Sequence, residues 1–133
     1  MHTLVALVTL LAVLLFTWMG LRVGAARARC GVAAPATTGN PEFERHFRIH
    51  ANTLEGLVAF LPSLWLFALF AGNDSIAAGL GLIWIVGRVI YMLGYAKAAE
   101  SRGLGFGIQA LALFALMFGA LGFVIWRLIN QGF

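Results

Sequence analysis

Four apolar stretches, broken by short polar interruptions, organise the chain. They cover residues 3–21, 57–71, 75–96 and 104–129. The second has a polar preface, so the element containing it is read from about residue 43 to 71. Each stretch can satisfy its own backbone hydrogen bonds as a helix, which the interior of a bilayer demands. The first has about the length needed to cross, roughly 20 residues at 1.5 Å each. Only Met1 and His2 precede it, with no basic segment, so it is expected to be a retained helix rather than a cleaved leader.

The interruptions differ in kind. Residues 22–41 hold Gly31, Pro35, Gly39 and Asn40-Pro41, all turn or helix-start signals. Residues 72–74, Gly-Asn-Asp, predict a tight hairpin, and residues 97–103 a short polar turn. Pro62 interrupts the second apolar stretch, where neighbouring helices can accommodate a kink.

Composition strengthens the membrane reading. Of 133 residues, 62% are hydrophobic and 11% charged, whereas a soluble domain carries about 25% charge. The expectation is an all-α integral membrane four-helix bundle, one domain over residues 1–133. Nine Lys and Arg against five Asp and Glu give a net charge of +4. These charges are few and confined to particular segments, which fits topology better than nucleic-acid binding. Arg22, Arg27, Arg29, Arg45 and Arg48 flank the first connector, and Lys97 and Arg102 the third; the other side has Arg127 and an acidic turn. By the positive-inside rule the first and third connectors face the cytoplasm and both termini face outward. A single cysteine, Cys30, excludes an intrachain disulfide framework.

Membrane burial does not account for the polar residues that remain. Arg48, Asn52 and Glu55 are four and three apart, so they share a helical face, with Glu44 and Arg45 one turn earlier on the same side. Arg88, Tyr91, Tyr95 and Arg102 make a second stripe if their helix continues past Lys97. Both stripes approach one leaflet, with Arg27 at the same height. Arg48–Glu55 and Glu44–Arg45 could be structural ion pairs, and arginines near helix ends snorkel to headgroups. Glu55 and Glu44 cannot neutralise every arginine on the two stripes, so a carboxylate-rich ligand is expected between them. His46 and His50 point elsewhere; their spacing suits a metal, but no third ligand lies nearby, and no metal is expected.

The segment from Gly39 through Asn-Pro-Glu-Phe-Glu to Arg45, followed by Phe47, Arg48, Asn52 and Glu55, resembles the MAPEG family, the membrane-associated proteins of eicosanoid and glutathione metabolism. The preceding Pro35 to Gly39 and the later Arg88 to Tyr95 extend the likeness over nearly the whole chain. The resemblance implies a homotrimer of four-helix protomers, with glutathione as co-substrate between neighbouring subunits near the cytoplasmic face. It implies that Arg27, Arg48, Asn52, Glu55, Arg88, Tyr91 and Tyr95 hold glutathione. Arg48 and Arg88 would take carboxylates, Glu55 would take the α-amino group, and Arg102 would face the thiol as the catalytic residue. His46, Ile49, His50, Thr53 and Gly56 depart from the eicosanoid branch, which points to a bacterial-type member in an inner membrane.

The activity so implied is a membrane-bound glutathione transferase, with peroxidase activity as a variant, acting on lipophilic electrophiles or hydroperoxides. Two other classes compete. One is a non-catalytic member that binds lipid or glutathione for a partner; the other is a small anion transporter, disfavoured by the lack of discontinuous helices.

Overall fold

The helix over Thr3–Cys30, α1, runs well past Leu21, where its apolar stretch stops. Its last turns, rich in Ala and Arg, are strong helix formers, and nothing halts them until Gly31 adopts a left-handed φ of 68°. At 28 residues and about 1.5 Å per residue, α1 is about 42 Å long, more than a hydrocarbon layer of about 30 Å. The arginines assigned to the first connector therefore ride partly on a helix that projects beyond the apolar layer.

This is a computed structural model, and it describes residues 1–132. The remaining long helices are α2 (Pro41–Ala71), α3 (Asp74–Lys97) and α4 (Gly103–Gln131), with a 3-10 turn at Ala99–Arg102 leading into α4. Local chemistry sets their ends. Asn40 caps α2 by accepting from the amides of Glu42 and Phe43, with Pro41 in the first turn. Gly72 closes α2 in the left-handed region, and Asn73 at once caps α3 by accepting from Ile76 N. The predicted hairpin is thus a C-cap followed directly by an N-cap. The helix α2 continues through Pro62 to Ala71.

All four helices are long and apolar enough to span a bilayer. On α1 the buried positions are Val5, Val8, Ala12, Leu15, Met19, Val23 and Ala26, three or four apart, while Leu7, Leu10, Leu14 and Leu21 point outward. Apolar side chains on both faces suit a helix whose solvent is lipid. At one end of the bundle His2 Nδ1 lies 2.7 Å from Asp74 Oδ1, and Arg127 donates to the Phe70 carbonyl. At the other end Arg45 donates to the Ala96 carbonyl. The termini and the α2–α3 hairpin thus share one end, and the first and third connections share the other.

The α3–α4 contact is the tightest in the bundle, because glycine removes the side chains that would hold the backbones apart. A Cβ at Gly105 would fall on the backbone of Tyr91, and one at Gly87 would lie 2.6 Å from Gln109 N. The positions of Tyr91 and Arg88 are therefore set by backbone packing. Replacing Gly105 with Ala should destabilise the protein by about 1–3 kcal/mol or more through overpacking. Gly107→Ala, where nothing lies within 4 Å of a new Cβ, should be neutral or gain up to about 1 kcal/mol. Thermal unfolding in detergent, followed by circular dichroism, distinguishes the two.

Candidate functional site

The polar stripe on α2 forms a continuous chain of contacts into the bundle. Arg48 Nη1 lies 3.7 Å from Glu55 Oε1, Asn52 Nδ2 donates to Glu55 Oε2 at 3.4 Å, and Arg88 Nη1 donates to Asn52 Oδ1 at 2.8 Å. The outer members are open: the Arg48 and Glu55 side chains are 56% and 59% exposed. The inner one is closed, for Arg88 is 2% exposed. Arg48 thus meets the Glu55 carboxylate directly, whereas Arg88 is linked to it only through Asn52, and that carboxylate sits at the open end.

Arg88 is held mainly by rings. Its Cζ lies 4.9 Å from the centre of the Tyr91 ring and 5.5 Å from that of Trp84. Trp84 is itself buried and stacked on Phe60, with centroids 4.0 Å apart. Among the described residues, Arg88 Nε is buried without a hydrogen-bond partner, as is Trp84 Nε1. Gly56 completes the seat: a Cβ there would meet Arg88 Nη2 at 2.9 Å. The departure noted at Gly56 is therefore filled by the guanidinium of α3. Neither Gly56 nor Trp84 was recognised as part of the site from sequence, since their roles depend on the α2–α3 contact.

The second stripe is real but is built differently from expectation. Tyr91 and Tyr95 lie 5.6 Å apart between centroids, and Arg102 Cζ sits 5.5 Å from the Tyr95 ring. The helix does not continue to Glu100, however. It ends at Lys97, Ala98 is extended at φ −157° and ψ 141°, and a 3-10 turn follows. Arg102 reaches Tyr95 because this turn folds back over Gly94, where a Cβ would strike the Ser101 carbonyl. Its guanidinium also donates to the Ala99 carbonyl at 2.9 Å.

A pocket of about 620 Å³ opens between the first turns of α2 and the α3–α4 connection, lined among others by Glu44, Arg45, Arg48, Tyr95, Lys97 and Glu100; Asn52, Glu55, Arg88, Tyr91 and Arg102 are not part of its lining. Arg45 pairs with the Ala96 carbonyl and not with Glu44. Arg27 is not brought to this pocket within the chain. It lies over the Phe43 ring at 4.6 Å, donates to the carbonyls of Val32 and Ala36, and borders a separate hollow of about 430 Å³. His46 is buried, and His50 stacks on Phe16 of α1 at 4.4 Å, off the stripe. Arg29 and Glu42 form an ion pair at the α1–α2 connection, and Cys30 Sγ is 3.7 Å from the same carboxylate.

Four apolar helices, with a pocket at one end of the bundle lined by Arg45, Arg48, Lys97, Tyr95 and two glutamates, define an integral, multi-pass membrane protein. Comparison with known proteins specifies the class. The MAPEG family model matches residues 5–122, and the chain belongs to that family. The uncharacterized protein sll1147 of Synechocystis is 49% identical over 123 residues, covering 92% of this chain and 89% of its own. Human microsomal glutathione S-transferase 2 is 41% identical over 121 residues, covering 90% and 81% respectively. Bovine leukotriene C4 synthase is 40% identical over 114 residues, covering 86% and 75%.

Among the described residues, Asn52 alone accepts a side-chain hydrogen bond from the buried Arg88. Asn52→Ala should lower stability by about 1–3 kcal/mol, the cost of leaving a buried polar group without its partner. Denaturant unfolding in detergent would check this.

Proposed function

We propose that the protein is a membrane glutathione transferase that generates the glutathione thiolate beside Arg102 and delivers it to lipophilic electrophiles. The chain of Arg48, Glu55, Asn52 and Arg88 carries this reading, because two guanidinium groups to one carboxylate suit a ligand with more negative than positive groups. Glutathione has two carboxylates and one ammonium. Arg48 and Arg88 take the carboxylates, Glu55 takes the ammonium, and Asn52 and the two tyrosines orient the peptide. The likeness to microsomal glutathione S-transferase 2 supports the same ligand.

The chemistry asked of the protein is modest. A cysteine-like thiol has a pKa of about 8.5, so only a few per cent is thiolate at neutral pH. A guanidinium beside the sulfur favours the anion, each tenfold gain in thiolate needing about 1.4 kcal/mol. With Arg102 in that position, the thiolate attacks an electrophilic carbon arriving from the bilayer and the leaving group departs as an anion. With a hydroperoxide, attack on oxygen breaks the O–O bond and yields an alcohol and a sulfenic adduct, the peroxidase variant. Positioning and charge come from the protein, the nucleophile from glutathione.

Homotrimeric assembly belongs to this reading. Arg27 lies away from its own chain's cleft, so its part in binding requires a neighbouring protomer. The excess of Lys and Arg at the α1–α2 and α3–α4 end supports a site at the cytoplasmic face, as of a bacterial inner membrane, with both termini opposite.

Titration calorimetry of glutathione into detergent-solubilised protein, with and without Arg48→Ala, tests the reading. Arg48 is half-exposed, so its loss should cost about 1.5–3 kcal/mol, the range for a hydrogen bond to a charged group. Unchanged affinity would remove Arg48 from the site. Conjugation of glutathione to an aromatic halide should accompany binding; binding without turnover would favour a non-catalytic carrier of glutathione or lipid.

A further inference from the structure

Arg45 is a charged side chain that the proposed mechanism does not use. It sits half-buried on α2, one turn before Arg48, and lines the pocket. It forms no ion pair among the described residues. Its Nε instead crosses to α3 and donates to the carbonyl of Ala96 at 3.2 Å. That carbonyl is one of the last four of α3, which have no donor from a following helical turn. The Gly94 carbonyl of the same group is satisfied within the chain, by Ala98 N. For Ala96 the donor comes from another helix.

Ala96 lies immediately before the point where α3 gives way to the turn. Ala98 swings to an extended conformation, the 3-10 turn folds back on Gly94, and Ser101 N donates to the Ala98 carbonyl at 3.1 Å. Arg102 ends that turn. Among the described residues its side-chain hydrogen bond goes only to Ala99, within the turn itself. Nothing in the Arg102–Ala99 bond therefore ties the turn to α2, where Arg48 and Glu55 stand. The Arg45–Ala96 bond does, linking the first exposed turn of α2 to the last turn of α3.

We infer that Arg45 is a positioning residue: by clamping the end of α3 to α2, it sets the distance between the Arg102 turn and the Arg48–Glu55 pair. The inference rests on the reading above, in which Arg102 faces the thiol. Arg45 supplies a directed N–H to a helix-end carbonyl, a job that lysine can do with its ammonium but methionine of similar length cannot. Loss of the clamp leaves the Arg48 half of the site intact and lets the Arg102 turn drift, which affects the sulfur more than the affinity. A displacement approaching 1 Å can cost as much as about a hundredfold in rate.

The test compares wild type, Arg45→Met and Arg45→Lys in detergent, with Arg45→Leu in reserve should the methionine variant fail to fold. Three quantities are measured: glutathione affinity by calorimetry, the pH midpoint of thiolate absorbance in the bound complex, and amide hydrogen exchange across residues 98–102. In Arg45→Met the affinity should fall by much less than in Arg48→Ala, the midpoint should rise by roughly 1 pH unit, and kcat should fall roughly ten- to a hundredfold, a larger factor than any change in KM. Exchange in the turn should quicken, and Arg45→Lys should restore most of each effect. If affinity instead collapses as it does for Arg48→Ala while the midpoint stays put, Arg45 is a ligand contact and the inference is overturned. Unchanged midpoint and exchange overturn it as well. Should wild-type protein form no thiolate, the functional reading fails, and turn exchange alone still decides whether the clamp exists.

Discussion

A guanidinium group shut away from water inside an apolar bundle must find its stabilisation locally, and Arg88 finds little of it. One hydrogen bond to Asn52, two aromatic faces and the gap above Gly56 are what surround it. Electrostatic attraction strengthens as the effective dielectric falls, so a cation so little neutralised interacts more strongly with a neighbouring charge than one on the surface does. Much of the surrounding architecture follows from seating it. Glycines at 87 and 105 bring α4 against α3, Trp84 stacks flat on Phe60, and Asn52 turns its carbonyl inward to Arg88.

From that buried end the site grades outward. Arg88 is closed, Arg48 and Glu55 are more than half exposed, and Arg102 rides on a surface turn. A charge deep in the site gives strength and orientation, whereas exposed charges are screened and cheaply rearranged. The Arg48–Glu55 contact, at 3.7 Å and open to water, is the longest link in this chain of contacts. The arrangement joins a fixed inner anchor to an exchangeable outer rim, with an aromatic wall of Tyr91 and Tyr95 between Arg88 and Arg102.

The four helices were legible because each apolar stretch is close to bilayer length and each interruption contains its own cap or turn residue. What the apolar pattern could not disclose was where a helix ends in water. The helix α1 runs on to Cys30 because Ala and Arg favour helix as well as Leu does, and hydropathy falls off before helicity. At α3 the reverse error arose. Residues 98–102 contain nothing that forbids helix, and the break at Ala98 becomes apparent only once Ser101 is packed on Gly94. Spacing alone correctly grouped Arg48 with Asn52 and Glu55, and Arg88 with Tyr91 and Tyr95. It could not show that Arg27 turns toward Phe43 and its own connector, nor that Gly56 is where Arg88 lodges, since both depend on which helices are neighbours.

The most direct test of this account is an experimentally determined structure of the protein with glutathione sulfonate, whose sulfonate stands in for the thiolate. The account predicts density in the cleft between α2 and α3, with ligand carboxylates on Arg48 and Arg88, the ammonium on Glu55 and the sulfonate within reach of Arg102. A ligand bound elsewhere, or a cleft in which these guanidinium groups reach only lipid phosphates, would contradict it.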